Sequence, residues 1–405
     1  MTDTIIIGGG AAGSVAAIYA ARWGKSVLLF EKNERIGRKL RITGKGRCNV
    51  TNNSPTREHI ENIPVNSRFM YSSFAMYGAE ETMAFFEELG VPLKTERGNR
   101  VFPVSDNAED IVNALDRELK NLGVKIVRKS VKSLIIEDGA CVGVRAGGQE
   151  YRSNSVLVAC GGKSYPATGS TGDGYTFAEQ AGHTVTELKP SLVPLTSPDK
   201  FCAELMGLSL RNVTLKLMEG EKTVYSEMGE MLFTHFGLSG PLVLSASSHI
   251  RDMKPNRFRA VIDLKPALTP EQLDARIQRD FAENLNRDFQ NGIRKLLPAK
   301  MIPVIIKLSG IAPERKINGI TKEERRKFGE LIKAFPVRIS GFRPIDEAII
   351  TSGGVSVKEI DPKTMESKLV SKLFFAGEVI DVDAYTGGFN LQIAFSTAYA
   401  AALYL

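Results

Sequence analysis

Cysteine is scarce and scattered. Cys48, Cys141, Cys160 and Cys202 are the only four in 405 residues, and no two of them form a C-x-x-C pair. That spacing argues against a disulfide framework and a zinc site, so a reducing cytoplasmic location and no metal are expected. No apolar run approaches the roughly 20 residues of a membrane span. The longest, near 302–306 and 391–405, are broken by Lys307, Gln392, Ser396 and Thr397. The N-terminus has no basic, apolar, small-residue leader, because Thr4 already opens a strand-like run, and no membrane partner is expected. A fixed-period repeat, a low-complexity tract, a nucleophile elbow and a Ser-His-Asp order are also missing. Acidic charge is in deficit, with 46 Asp and Glu against 53 Lys and Arg, a net charge of +7 and a pI near 9.1. Such a field suits an anionic partner or serves solubility alone.

What is present is glycine in ordered positions. Gly8, Gly10 and Gly13 form G-x-G-x-x-G directly after the apolar run TIII, an Ala-rich helical stretch follows, and Glu31 ends the next strand-like run, KSVLLFEK. Gly8 permits a tight turn, Gly10 lets backbone approach a pyrophosphate, and Gly13 allows close helix packing, while the helix N-terminus offers free N–H groups to the anion. Glu31 can accept from ribose hydroxyls. Strand, turn, helix, strand and acid in register predict a dinucleotide-binding βαβ unit.

Further glycine-rich segments recur at 37–49, 161–174 and 377–392. An NAD dehydrogenase completes its cofactor site within the following strands, so one long ligand touched by distant segments, FAD, is the simpler expectation. No second complete G-x-G-x-x-G follows a strand, so a nicotinamide donor, NAD(P)H, would dock transiently. Between these segments, helices are expected near 79–89 and 106–122, and strands in VKIVRKSV, GACVGVRA and SVLVACGG. From about Ser191 the pattern turns to alternating strands such as VTLKLMEG. Residues 269–335 read as helical, opening on Thr269-Pro270-Glu271, an N-cap with proline in the first turn. The expected organisation is a discontinuous FAD-binding domain (1–190 and 345–405), a β-rich domain (191–268 and 336–344) and a helical domain (269–335). The fold class is α/β: a Rossmann FAD-binding domain with an inserted β-rich domain and a small helical domain.

Four segments carry a resemblance: GRCNVTN from Gly46, GGKSYPATGSTGDGY from Gly161, FTHFGLSGP from Phe233, and GEVIDVDAYTGGFN from Gly377. In the third, Ser239 is expected to cap a helix beginning at Pro241. Together they closely resemble the BaiN/RdsA (YhiN-like) family of FAD-dependent oxidoreductases over essentially the whole chain. The resemblance implies a glutathione-reductase-type FAD domain with a β-domain and a helical domain. It implies that Gly8, Gly10, Gly13, Glu31, Arg38, Lys39, Val131, Gly377 and Glu378 contact the adenosine, pyrophosphate or ribityl parts of FAD, and that Thr43, Cys48, Asn49, Gly388, Asn390 and Leu391 approach the isoalloxazine. Their neighbours Ala11, Ala12, Lys32, Gly46, Arg47, Gly161, Gly162 and Asp383 complete the expected cofactor-binding set. The chain departs from the family pattern at Ala384 and at Tyr399-Ala400-Ala401, where glycine is usual.

The activities implied are reduction of a uridine in large-subunit ribosomal RNA to dihydrouridine, reduction of 3-oxo bile-acid enones, and aminoacetone oxidation. In the first two, a C=C conjugated to a carbonyl takes hydride at the β carbon and a proton at the α carbon, and a donor near the carbonyl oxygen stabilises the developing enolate. Tyr165, His235 and Cys48 are the candidate catalytic donors. Residues 270–334 carry fourteen Lys or Arg against nine Asp or Glu. The runs Arg315-Lys316 and Arg325-Arg326-Lys327 either bind phosphates, which favours ribosomal RNA over a small-molecule substrate, or form a solvated helix face. A non-catalytic, FAD-stabilised RNA-binding module stays open as a third reading.

Overall fold

Ile5, Ile6 and Ile7 follow one another in β1 (Thr2–Ile7), and successive β-branched side chains favour an extended strand that is buried on both faces. The computed structural model describes residues 2–405. β1 pairs in parallel with β2 (Val27–Phe30) on one side and with Gln149–Val158 on the other. Parallel neighbours need a crossover, supplied between β1 and β2 by α1 (Ala11–Arg22). Lys125–Val127 extends the sheet in parallel beyond β2. The far strand, Gln149–Val158, serves two partners along its length. Its first residues pair antiparallel with Ala140–Ala146, and its last three pair in parallel with Leu373–Phe375. The result is a mixed seven-stranded sheet.

Helices cover it. α1 and the C-terminal helix Phe389–Ala402 are apolar nearly all round, the signature of a helix enclosed by protein. They pack together, with the Tyr19 and Tyr399 rings edge to face at 4.8 Å. Ala108–Asn121 is amphipathic instead, with Ile111, Val112, Leu115 and Leu119 buried and Asn107 capping its first turn by accepting from the Glu109 N–H.

The residues divide into two compact units, one running to Ser191 and resuming at Ile345–Leu405, the other Leu192–Pro344. The second unit holds a seven-stranded antiparallel sheet. In its strand Ser209–Glu219, Leu210, Val213, Leu215 and Leu217 are buried, and a bulge between Leu210 and Val213 restores the alternation after one extra residue. Helices Pro270–Ala282, Ile302–Ser309 and Lys322–Lys333 stand in the same unit. Thr269 caps the first of them through a reciprocal pair, its hydroxyl accepting from the Gln272 N–H while the Gln272 side chain accepts from the Thr269 N–H.

One capping expectation fails. Ser239 pairs with Leu232 in the ladder of Gly237–Ser239, so it remains strand, and Gly240 (φ 92°) takes the cap position of helix Pro241–Ser248 with no side-chain bond.

Among the described residues no helix is long and apolar enough to cross a membrane, and no group of three or more His, Cys, Asp or Glu is placed to hold a metal ion.

Candidate functional site

The turn after β1 is built by backbone contact. Gly8 (φ 107°) donates its N–H to the Phe30 carbonyl at 2.8 Å, and a Cβ there would lie 2.4 Å from the Ala159 carbonyl oxygen. Gly13 presses its Cα against the Gly8 carbonyl. Gly10 differs, because a Cβ there would meet nothing within 4 Å. It faces open space at the head of α1, whose first turn, Ala11 and Ala12 included, has no side-chain cap and no acidic residue. Free N–H groups and the positive end of the helix dipole are what a pyrophosphate needs. Glu31 is buried; its carboxylate accepts from the Gly9 N–H at 3.0 Å and from the N–H and side-chain amide of Asn33 at 2.8 and 2.7 Å.

The other glycine-rich segments of the first unit gather around this turn. Gly377 is wedged between the two long helices, its position for a Cβ lying 2.9 Å from Ala12 Cβ and 3.8 Å from Ala394 Cβ. Beside it, Glu378 accepts from Lys39 Nζ at 2.8 Å, from the Ser164 hydroxyl at 3.1 Å and from the Thr351 N–H at 2.9 Å. That half-buried carboxylate ties the short helix Arg38–Ile42, the 161–174 loop and the 377–379 turn into one network. Gly162 admits no side chain, since a Cβ would be 2.5 Å from Thr351 Oγ1, and Gly161 (φ 73°) precedes it in the same turn. Asn33 adds a second tie to the loop by donating to the Thr168 carbonyl at 3.3 Å, and Arg38 donates to Asn33 at 3.0 Å.

Residues 43–49 form a turn of unusual backbone. Gly44, Lys45, Gly46 and Cys48 all have positive φ, and left-handed conformation at the non-glycine residues Lys45 and Cys48 marks local strain held by the surroundings. Thr43 donates its hydroxyl to the Leu40 carbonyl at 2.7 Å, and its own carbonyl accepts from the Cys48 N–H at 3.0 Å. Cys48 is fully buried, and burial pushes its thiol up to about 12. The Asn49 side-chain oxygen is buried with no partner among the described residues, an acceptor waiting for a donor. This segment meets the C-terminal helix: Asn52 donates to the Gly387 carbonyl at 3.0 Å, Thr51 donates to Gln392 at 2.6 Å, and Gly388 packs on the Thr51 carbonyl. Like α1, this helix begins without a side-chain cap or an acid in its first turn. Asn390 clasps the preceding turn through Ala384, accepting from its N–H and donating to its carbonyl, both at 2.8 Å, with half-buried Leu391 next to it. Asp383, buried, accepts from Ser191 at 3.2 Å and Ser352 at 2.9 Å.

The cations nominated from sequence are not all free. Lys32 pairs with Asp173 at 2.7 Å, and Arg47 pairs with Glu96 and Asp106 while lying over the Phe102 ring at 4.0 Å. Both cations are therefore already neutralised by neighbouring carboxylates. Val131 begins the strand Val131–Glu137 and belongs to the first unit's core. Of the candidate donors, Tyr165 is half-buried at φ 52° ahead of the turn Pro166–Thr168, and its carbonyl accepts from the Thr168 N–H and hydroxyl. His235 is exposed on the tight turn between Lys222–Thr234 and Gly237–Ser239, in the second unit, as is the whole third motif.

Three contributors escaped the sequence reading. Thr351 accepts from the N–H groups of both Lys163 and Ser164, at 2.8 and 3.1 Å. Asn33 and His59 are the others, the latter buried with its ring edge to face against Phe389. The Gly353-Gly354 pair just after Thr351 was the one available signal.

Residues 2–404 match the family model described as the HI0933-like protein Rossmann domain. The chain belongs to the HI0933-like family. A ribosomal RNA dihydrouridine synthase of Haemophilus influenzae is 34% identical over 408 residues, 99% of this chain and 98% of that protein. A 3-dehydro-bile acid delta(4,6)-reductase of Clostridium scindens is 32% identical over 98% of this chain and 97% of its own length. A second ribosomal RNA dihydrouridine synthase, from Escherichia coli, is 30% identical over 99% of this chain and 97% of its own. Among solved structures, 3-ketosteroid delta1-dehydrogenase from Sterolibacterium denitrificans shares the fold, with a TM-score of 0.54, 13% identity, and coverage of 99% of this chain and 98% of that one. The chain is thus an FAD-dependent oxidoreductase with a Rossmann FAD-binding domain. Its own residues fit the cofactor: an uncapped helix N-terminus behind Gly10, open space where a Cβ would stand there, and an unpartnered acceptor at Asn49 among the described residues.

Proposed function

We propose that this protein reduces a uridine in large-subunit ribosomal RNA to dihydrouridine. The reading is carried by the full-length similarity to two dihydrouridine synthases, joined to a cofactor turn whose parts all fit FAD. FAD, when bound, supplies the hydride that a C=C conjugated to a carbonyl accepts. Gly8, Gly10, Ala11, Ala12 and Gly13 would hold the pyrophosphate on amide dipoles, and Glu31 would accept from the ribose. The Lys39–Glu378 network would brace the ribityl side, and Thr43 and Asn49 with Gly388, Asn390 and Leu391 would hold the ring system. The orphaned oxygen of Asn49 would offer the cofactor an acceptor.

For the proton, Tyr165 is the donor this reading selects. Cys48 is sealed from substrate, whereas Tyr165 is half-exposed on the glycine-rich loop and strained in a way that positions a functional side chain. NAD(P)H docking transiently is the proposed electron source, and an RNA substrate puts the protein in the cytoplasm. Two domains are proposed for the second unit, a β-rich one (192–268 and 336–344) and a helical one (269–335), the expected first residue of the β-rich domain, Ser191, belonging to the first unit.

A second reading, reduction of a small enone, is favoured by the bile-acid reductase at nearly equal identity. Nucleoside analysis of large-subunit ribosomal RNA from a strain lacking this protein separates the two. Dihydrouridine that disappears on deletion and returns with the wild-type gene supports the first; dihydrouridine that persists, with turnover of a bile-acid enone by the pure protein, supports the second.

A further inference from the structure

The basic runs singled out in the sequence are largely neutralised. Arg315 pairs with Glu324, Lys316 with Asp288, Arg325 with Asp274, Arg326 with Glu330 and Lys327 with Glu323. Arg276 and Lys295 are likewise held, by Asp280 and Glu283. Arg287 and Arg294 behave differently. Both are exposed, neither guanidinium has a carboxylate or carbonyl partner among the described residues, and both line a single concavity of about 340 Å³ with Asp288, Asn291 and Lys316.

The floor of this concavity is tied together by backbone hydrogen bonds. The Phe289 N–H donates to the Arg315 carbonyl at 2.8 Å and the Ile317 N–H to the Arg287 carbonyl at 3.0 Å, so two short segments are clamped side by side. Beneath them Phe289, Ile293, Ile317 and Phe328 are buried. The rim is cationic. Lys316 holds Asp288 at 2.8 Å, which leaves both arginine forks free to take phosphate oxygens without giving up an existing partner. Asp288 and Asn291 also bring acceptors for a 2′-hydroxyl, the group by which a protein distinguishes RNA from DNA.

We propose that this concavity is a docking site for the phosphodiester backbone of RNA, with Arg287 and Arg294 as its phosphate ligands. The proposal rests on the RNA reading given above and deepens it by naming where substrate is held away from the chemistry.

The test uses the full-length, FAD-loaded protein and protein-free large-subunit ribosomal RNA from the deletion strain as the probe. R287A/R294A is compared with R326A/K327A, which removes the same charge from exposed, already paired positions. The pocket variant is expected to bind roughly tenfold more weakly at moderate salt, with the log–log salt slope reduced by about 1 to 2, as loss of one or two phosphate contacts requires. The control variant is expected to stay within about twofold of wild type, and both should keep the wild-type flavin spectrum. Equal weakening in the two variants, undiminished binding in the pocket variant, or failure of wild-type protein to bind this RNA each overturns the proposal. Failure of the catalytic reading looks different: the pocket variant loses RNA affinity while ribosomal RNA from the deletion strain contains its full dihydrouridine.

Discussion

Gly13 stands so close to Gly8 that a Cβ added to it would lie 1.8 Å from the Gly8 carbonyl oxygen. The obstacle is backbone, so no rotamer relieves it, and the first turn of α1 would have to leave β1. Gly13→Ala is therefore expected to lose roughly 1 to 3 kcal/mol of unfolding free energy, the usual cost of overpacking. It should also purify depleted of flavin absorbance. A urea midpoint equal to that of wild type contradicts this account of the turn.

Thr351 holds the 161–174 loop through one oxygen atom. Replacing it by Val leaves the N–H groups of Lys163 and Ser164 without their acceptor, and the Ser164 side chain is buried. Thr351→Val should cost about 1 to 3 kcal/mol, with amide exchange at residues 163 and 164 accelerated ahead of the rest of the molecule. Unchanged protection at those two amides would show that the loop is held by other means.

These two cases mark what a sequence can disclose. The tight turn at Gly8 and the close packing at Gly13 are local, set within one turn by strand, helix and spacing, and so they could be read directly. The helix start at Thr269 was equally accessible, because the cap and its partner lie within three residues. Thr351 meets Lys163 across 188 positions, and no local pattern announces that pairing. The same reason hid the ion pairs: Arg325 looks like part of a free basic run until the fold brings Asp274 to it. Ser239 misled because a good capping residue was also a ladder residue, and the strand claimed it.

Tyr165 and Cys48 differ in what their removal should do. With the flavin reduced anaerobically and then mixed with substrate, Tyr165→Phe is expected to slow reoxidation by about 10² or more, the usual contribution of a positioned acid. Cys48→Ala should leave it within about twofold, since a buried thiol held near 12 neither reaches substrate nor ionises in the working range. A wild-type rate in Tyr165→Phe removes Tyr165 from the chemistry.

His59 predicts a pH dependence of stability. Its Nε2 lies 2.9 Å from the Asn52 carbonyl, which only accepts, so Nε2 carries the proton and the buried Nδ1 has no partner among the described residues. Burial lowers its pKa below the ordinary 6.5. The unfolded chain thus takes up a proton at a pH where the folded chain does not, and stability falls as pH drops from about 6.5 towards the lowered value. His183, also buried and lowered, adds in the same direction. The urea midpoint should be lower at pH 5.5 than at pH 7.5, and His59→Gln should narrow that difference. A variant with the full wild-type difference would contradict the assignment.

The most direct measurement is titration of apo-protein with FAD, followed by flavin fluorescence, for wild type and Gly10→Val. A Cβ at Gly10 would meet no protein atom within 4 Å, and the φ of −84° there suits any L-residue, so the variant should fold with stability within about 0.5 kcal/mol of wild type. It should bind FAD at least about tenfold more weakly, because the space it fills is the one through which backbone approaches the pyrophosphate. Equal affinity in the two proteins, or a wild-type chain that takes up no FAD, would contradict the cradle on which the whole account stands.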